Sequence, residues 1–394
     1  MADREVVILS GVRTAIGDYG GALKDIPPSE LAAQVIREAI KRANIEAKQV
    51  GALALGNVIH TEAKDMYISR VAAIKAGLSQ ESTAFGVNRL CGSGMQAIVS
   101  AAQMIMLGDA DVAIGGGAES MSRGGYLLPT LRSGQRMGDA TAVDMMVGAL
   151  TDPFETVHMG ITAENIATQW KITREAQDAF AVESHRRAIA AIEKGYFKDQ
   201  ILPIELKTRK GVTVFDTDEH PRKDASLEGM AKLRAAFKKD GSVTAGNASG
   251  INDGAAAVVL MEKSAAAKQG LKPLARLVSY GIAGVDPKIM GIGPVPACTQ
   301  ALARAGLKIG DIDVVEANEA FAVQAMAVAC DLNFDPAKTN PNGGAVGLGH
   351  PIGATGALVT VKALYELQRT GGRYALVTMC IGGGQGIAAI FERL

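Results

Sequence analysis

The second half of this chain repeats the order of its first. In the first, a glycine-rich turn, Cys91-Gly92-Ser93-Gly94, opens an apolar helix to about residue 107, and a strand at Asp111–Ile114 closes on Gly115-Gly116-Gly117. In the second, a glycine-rich turn at 347–356 opens another helix, and a strand at Arg373–Cys380 runs into Gly382-Gly383-Gly384. A polar stripe recurs as well: Gln96, Ser100 and Gln103 on one helix, Lys362, Glu366 and Arg369 on the other, each at i, i+4, i+7. The rest of the first helix is Ala, Ile, Val and Met, so most of its surface must be buried. A duplicated α/β unit has to pack against its own copy. Two glycine-lined turns are therefore expected to meet at a pseudo-twofold interface. Glycines let a backbone or a ligand approach closely, so the site is expected there.

The remaining elements fit that layer. Glu5–Ser10, Val50–Val58 and Thr83–Asn88 read as strands. Ser29 reads as the N-cap of a helix carrying Leu31, Val35, Ile36 and Ile40 on one face, and Met66–Ala76 as another helix. From Glu119 to Gly250 the periodicity lapses except for a helix over Arg174–Lys194, and loops this long are usually functional or interfacial. Ala255–Met261, Leu274–Tyr280, Ile312–Val315 and Ile387–Phe391 resume the strands, with a helix over Ala297–Ala305. The chain is thus expected to divide into a first core of residues 1–120 with 250–270, an inserted loop segment 121–249, and a second core 271–394.

Composition excludes several classes of function. Lys plus Arg, 41, equals Asp plus Glu, 41, so no overall field recruits nucleic acid or an anionic membrane. Hydrophobic residues make up 48% but aromatics only 4%, which suits an Ala, Val, Ile, Leu and Met core of helices on a sheet. The cysteines at 91, 298, 330 and 380 form no C-x-x-C pair and have no histidine at ligand spacing, which argues against a metal site or a disulfide framework. No signal peptide is read at the N-terminus, and no apolar run approaching about 18 residues is read anywhere, so a cytoplasmic protein is expected.

Four positions carry chemistry. Cys91 at a helix start faces unpaired N–H groups and the positive end of the macrodipole, which favour thiolate; about 2 kcal/mol suffices to bring a thiol below neutrality. His350 stands in Asn342–Gly353 among five glycines and a proline, a setting hard to explain by packing. Asn318 either caps a helix opening at Glu319 or holds a water or an oxyanion. Cys380 ends a buried strand just before Gly382, whereas Cys298 and Cys330 read as core. The glycine runs fit neither nucleotide-phosphate motif. Two reactive thiols and one histidine suggest covalent acyl transfer, one cysteine carrying the acyl group and the other moving protons.

At this point four segments, Asn88–Gly94, Asn318-Glu319-Ala320-Phe321, Asn342–Gly356 and Cys380–Gly384, together resemble the motifs of the thiolases. The chain is most similar to biosynthetic acetyl-CoA acetyltransferases, particularly the bacterial β-ketothiolases of polyhydroxyalkanoate synthesis, and the resemblance spans essentially its whole length. It implies an α/β fold with two duplicated βαβαβ cores in a layered α/β/α/β/α arrangement, an inserted loop domain, and a homotetramer built as a dimer of dimers. It implies that Cys91 is acetylated by acetyl-CoA with help from His350, and that Cys380 removes the α-proton of a second acetyl-CoA. The enolate would be held by His350 and a water on Asn318, the tetrahedral oxyanion by the N–H groups of Cys91 and Gly382. Coenzyme A thioesters, including acetoacetyl-CoA and other short 3-ketoacyl-CoA, would be substrates, with no metal or other cofactor. The pattern places them along Leu150, His158, Met159, Ala245, Ser249, Met290 and Phe321, with Arg222 near the adenosine end. One departure is Gly229, where close relatives often have serine near the adenine. Three rival readings are a ketoacyl synthase of the same superfamily, a degradative 3-ketoacyl-CoA thiolase of broader chain length, and a non-catalytic acyl carrier on this fold. A cysteine protease fits least, since no peptide groove is evident.

Overall fold

The computed structural model describes residues 4–208 and 211–394. The first half supplies strand β1 (Val6–Arg13), helix α1 (Pro28–Arg42), strand β2 (Ala52–Gly56), helix α2 (Ile68–Ala76), strand β3 (Thr83–Val87), helix α3 (Ser93–Leu107) and strand β4 (Val112–Ser120). The intervening segment carries helices α4 (Met159–Trp170) and α5 (Arg174–Glu193). Strand β5 (Asn252–Glu262) follows, then strand β6 (Ala275–Gly284), helix α6 (Pro294–Ala305), strand β7 (Val314–Ala317), helix α7 (Ala322–Asp331), helix α8 (Ile352–Thr370) and strands β8 (Tyr374–Ile381) and β9 (Gln385–Arg393).

Strand order makes the duplication explicit. The first half runs β1-β5-β4-β2-β3 and the second β6-β9-β8-β7. A parallel bridge from Val315 to Thr339 stands where the second half's counterpart of β3 belongs. In both halves the central strands are parallel and the returning strand is antiparallel. The two sheets touch edge to edge through Val7–Arg276 and Ile8–Ala275, which joins them into one ladder. Helices α3 and α8 cross each other between the sheets, α1 covers the outer face of the first and α6 that of the second. This is the layered arrangement expected from the sequence.

Glycine makes the central crossing possible. A Cβ on Gly94 would lie 2.7 Å from Ala357 N, one on Gly56 would lie 2.7 Å from Gly353 O, and one on Gly356 would overlap Met95 N. Backbone therefore meets backbone across the pseudo-twofold axis. The same packing corrects one expectation: β4 does not close on Gly115-Gly116-Gly117 but runs through them. A Cβ on Gly115 would overlap Ile98 and one on Gly117 would overlap Gly353 O, so these glycines seat two helices. Only Gly382-Gly383-Gly384 forms a turn, with φ of +82° and +84° at its last two residues, between β8 and β9.

Other expectations also change. Ser29 is not an N-cap: α1 begins at Pro28, capped by Pro27, and Ser29 lies buried in its first turn. Two members of the second polar stripe, Lys362 and Glu366, are buried. Lys362, 4% exposed, donates to Glu316 Oε2 at 2.8 Å and to Gly343 O at 2.7 Å, while Glu366 accepts from Asn342 and Arg369. The window Leu90–Leu107 is apolar and long enough to cross a membrane, contrary to the reading of no such run, yet α3 within it packs on β2, β4 and α8. The inserted segment is tied to the core by a fully buried ion pair. Arg13 Nη1 and Nη2 meet the Asp218 carboxylate at 2.7 and 3.0 Å, and its Nε donates to Gln200 at 2.8 Å.

Candidate active site

The turn before α3 is strained into shape. Leu90 has φ of +44°, a conformation side chains avoid. Ser93 Oγ holds it there, accepting from Arg89 N at 2.8 Å and donating to Leu90 O at 2.7 Å. Cys91 thereby projects, half-buried, into an apolar nest of Ile59, Met121 and Ile352. The expectation of a thiolate does not hold. Helix α3 starts only at Ser93, and burial pushes the Cys91 thiol up to about 11 against the pull of the Gly382 and Cys91 N–H groups; the Glu119 charge raises it further. Those two N–H groups favour negative charge at this position.

His350 follows Gly349, whose φ of +104° turns the chain toward α8. Its backbone N donates to Asn252 Oδ1 at 2.8 Å. Hydrogen bonding bears on its tautomer. Thr355 Oγ1 lies 2.7 Å from His350 Nδ1 and 2.9 Å from Pro351 O, and when its hydroxyl donates to the carbonyl it accepts from Nδ1. Nδ1 then carries the proton and Nε2 presents a lone pair. Nε2 is buried and has no partner among the described residues. Burial pushes the imidazole down to about 4, so it is a neutral base across the physiological range. Burial thus favours the neutral form of both groups, thiol and imidazole.

Cys380 is the penultimate residue of β8 and fully buried. Burial pushes its thiol well up, and charge on Cys91 pushes it further. Asn318 follows β7 at 2% exposure, and neither of its side-chain polar atoms has a partner among the described residues. It caps nothing, because α7 begins at Ala322 with Phe321 as its cap residue. Cys298 is buried as expected, but Cys330 is exposed near the end of α7 and not core.

Cys91, His350 and Gly382 line one cavity of about 490 Å³. Leu150, His158, Met159, Met290 and Phe321 line it too, with Arg222, Ala245 and Ser249. Arg222 is exposed, and its N–H donates to His185 Nδ1 at 3.2 Å. Cys380 and Asn318 do not line the cavity. Gly229 does not line it either; its N–H donates to Ser226 Oγ in a short exposed helix, Leu227–Ala231. Sequence reasoning missed Phe237, which stacks on His158 at 4.5 Å and meets Phe321 edge-on at 6.2 Å. Gly160 was the available signal, since a Cβ there would overlap the Phe237 ring.

A cavity that joins a cysteine, an accepting imidazole and paired N–H groups, one half of a duplication supplying each reacting side chain, defines an acyl-transferring enzyme that works through a thiol. Residues 6–264 match the family described as thiolase, N-terminal domain, and residues 271–393 that described as thiolase, C-terminal domain. The chain belongs to the thiolase family. It is 67% identical to the Beta-ketothiolase BktB of Cupriavidus necator, over 99% of this chain and 100% of that one. It is 52% identical to an acetyl-CoA acetyltransferase of Syntrophomonas wolfei, over 99% and 100%. The crystal structure of human mitochondrial 3-ketoacyl-CoA thiolase in complex with CoA superposes with a TM-score of 0.96 at 44% identity, over 99% of this chain and 98% of that one.

Proposed function

We propose that the chain is an acetyl-CoA C-acetyltransferase, a β-ketothiolase that reversibly condenses two acetyl-CoA to acetoacetyl-CoA and coenzyme A. One observation carries the mechanism: His350, whose buried Nε2 has no partner among the described residues, lines the same cavity as Cys91 and Gly382. As Cys91 sulfur attacks the thioester carbonyl, its proton passes to Nε2. The Cys91 and Gly382 N–H groups hold the oxyanion. Collapse expels the coenzyme A thiolate, which takes the Cys380 proton and leaves a thiolate there. That thiolate removes the α-proton of the second acetyl-CoA, and the enolate oxygen rests on the His350 imidazolium and a water held by Asn318. Enolate carbon attacks the acetyl carbonyl; the Cys91 sulfur departs and recovers its proton from His350.

Each thiol begins and ends protonated, so the reaction needs no metal or redox cofactor. Leu150, Met159, Met290 and Phe321 hold the pantetheine arm, with His158, Ala245 and Ser249, and Arg222 faces the adenosine phosphates. Short 3-ketoacyl-CoA such as 3-ketovaleryl-CoA are further substrates. Residues 1–120 with 250–270 and 271–394 form the cores, and 121–249 the loop domain. Exposed Tyr126, Leu127, Leu131 and Met137 in that domain support oligomer contacts of a homotetramer. The protein works in the cytoplasm, apart from nucleic acid and membranes.

Loss of absorbance of the magnesium acetoacetyl-CoA complex on adding free coenzyme A tests the reading, and an inert enzyme would return the chain to the acyl-carrier alternative. Rates on acetoacetyl-CoA and longer 3-ketoacyl-CoA, compared side by side, separate it from a degradative thiolase.

A further inference from the structure

A carboxylate that the reaction does not use sits at the centre of the molecule. Glu119, near the end of β4, is fully buried. Its Oε1 accepts from Asn57 Nδ2 at 3.0 Å and from Ile59 N at 3.1 Å. Its Oε2 accepts from Val58 N at 3.0 Å and from Gly353 N at 2.8 Å. Burial pushes the Glu119 carboxyl up to about 8, and the four N–H groups that fill its acceptor capacity oppose that rise and favour the ionised form. The donors come from both halves. Asn57, Val58 and Ile59 belong to the first-half loop after β2, and Val58 and Ile59 pack in the apolar cluster around Cys91. Gly353 lies in the first turn of α8, three residues after His350, where a helix start attracts an anion. Gly353 has no room for a side chain, since a Cβ would overlap Glu119 Oε2 and lie 3.0 Å from Asn57 Cα.

We propose that Glu119 is a positioning residue: its carboxylate clamps the loop walling Cys91 to the helix that carries His350, and so fixes the two reacting groups against each other. The clamp is needed because nucleophile and base arrive on different halves, with no hydrogen bond between their side chains to set the approach. A displacement of about 1 Å between reacting groups is enough to cost a hundredfold in rate. The inference rests on the thiolase reading, since only a reaction that pairs Cys91 with His350 needs the distance fixed.

The test is a double-mutant cycle on thiolysis of acetoacetyl-CoA, with rates counted per acetylatable Cys91. Glu119→Gln replaces one acceptor oxygen by an amide that confronts two N–H donors. Its kcat is expected to fall about a hundredfold while KM changes less than about threefold. In a His350→Asn background the same substitution is expected to cost less than about threefold, because the geometry it protects is already lost. Equal losses in both backgrounds, or a kcat per folded site at the wild-type value, would overturn the inference. Should Glu119→Gln not fold, Asn57→Ala removes one donor and keeps the charge. It is expected to lower kcat by about three- to tenfold, again only when His350 is present, and an unchanged kcat would equally sink the clamp. Failure of the functional reading would look different, as the wild type itself would be inert.

Discussion

Strand register pairs the halves residue by residue, and one pair of positions separates them. Gly56, the last residue of β2, faces Gly117; Ala317, the last of β7, faces Thr378. Asn57 therefore corresponds to Asn318, and Glu119, two residues past Gly117, corresponds to Cys380. In the first half this pair is closed on itself: Asn57 donates to Glu119 and to Ala118 O, and the carboxylate takes three backbone N–H groups besides. In the second half the same two places hold an amide without partners and a thiol. Glu119 reaches the helix start of the other half through Gly353 N, and Cys380 feels the charge of Cys91 across the same interface. One copy of the unit spends its polar groups on structure, and the other leaves them for chemistry.

Removing the acceptor of the acyl group should have the largest effect. Cys91→Ala is expected to abolish both directions, with no acetyl adduct by intact mass after incubation with acetyl-CoA. An adduct mapped to another residue would reassign the nucleophile and break the comparison. Next, His350→Asn is expected to slow acylation and condensation together by about 10²–10⁴-fold in single-turnover assays, since one imidazole serves both. Slowing of only one step would show that the second half divides the work differently.

Cys380→Ala sharpens the contrast with Glu119. Acetylation should persist, slowed by no more than about tenfold, because a thiolate leaves readily without a donor. Exchange of α-deuterium from labelled acetyl-CoA should cease, and exchange at the wild-type rate would remove Cys380 from the role of base. The two asparagines should then part company in thermal unfolding. Asn57→Ala strips a bond from a buried carboxylate and should cost about 1–3 kcal/mol, whereas Asn318→Ala strips none and should leave Tm nearly unchanged while condensation falls. Equal losses of stability would mean that Asn318 also serves structure. The smallest effect belongs to the inserted segment: Gly229→Ser should shift KM for coenzyme A by no more than about tenfold, one neutral hydrogen bond's worth.

Much of this was legible in the sequence because it is local or periodic. The repeated turn, helix and strand announced the duplication, and the cavity-lining positions fell on recognisable motifs. What escaped depends on contacts between distant segments. The Cys91 protonation state is set by burial beneath Ile59, Met121 and Ile352, three strangers in sequence, and not by the helix start beside it. Lys362 stands out in sequence only as part of a polar stripe, and nothing near it points to Glu316, the buried partner to which it donates. Arg13 lies beyond the strand read at Glu5–Ser10, yet it anchors the inserted segment through Asp218, more than two hundred residues on. The Gly115–Gly117 run looked like a turn because glycine alone does not say whether a bend or a neighbour requires it.

The bare backbone contact of Gly94 with Ala357 and of Gly56 with Gly353 has a consequence for how the chain can come apart. Ordinary domain interfaces are cushioned by side chains that re-pack when one partner loosens. Here backbone meets backbone at these points, and the pairing of Val7 with Arg276 joins the two sheets in one ladder. Unfolding should consequently be a single cooperative event, with one calorimetric transition, and amide exchange at Met95 and Ala357 should report the same global opening. Residues 6–264 and 271–393, expressed as separate chains, should each show poor protection until they are mixed.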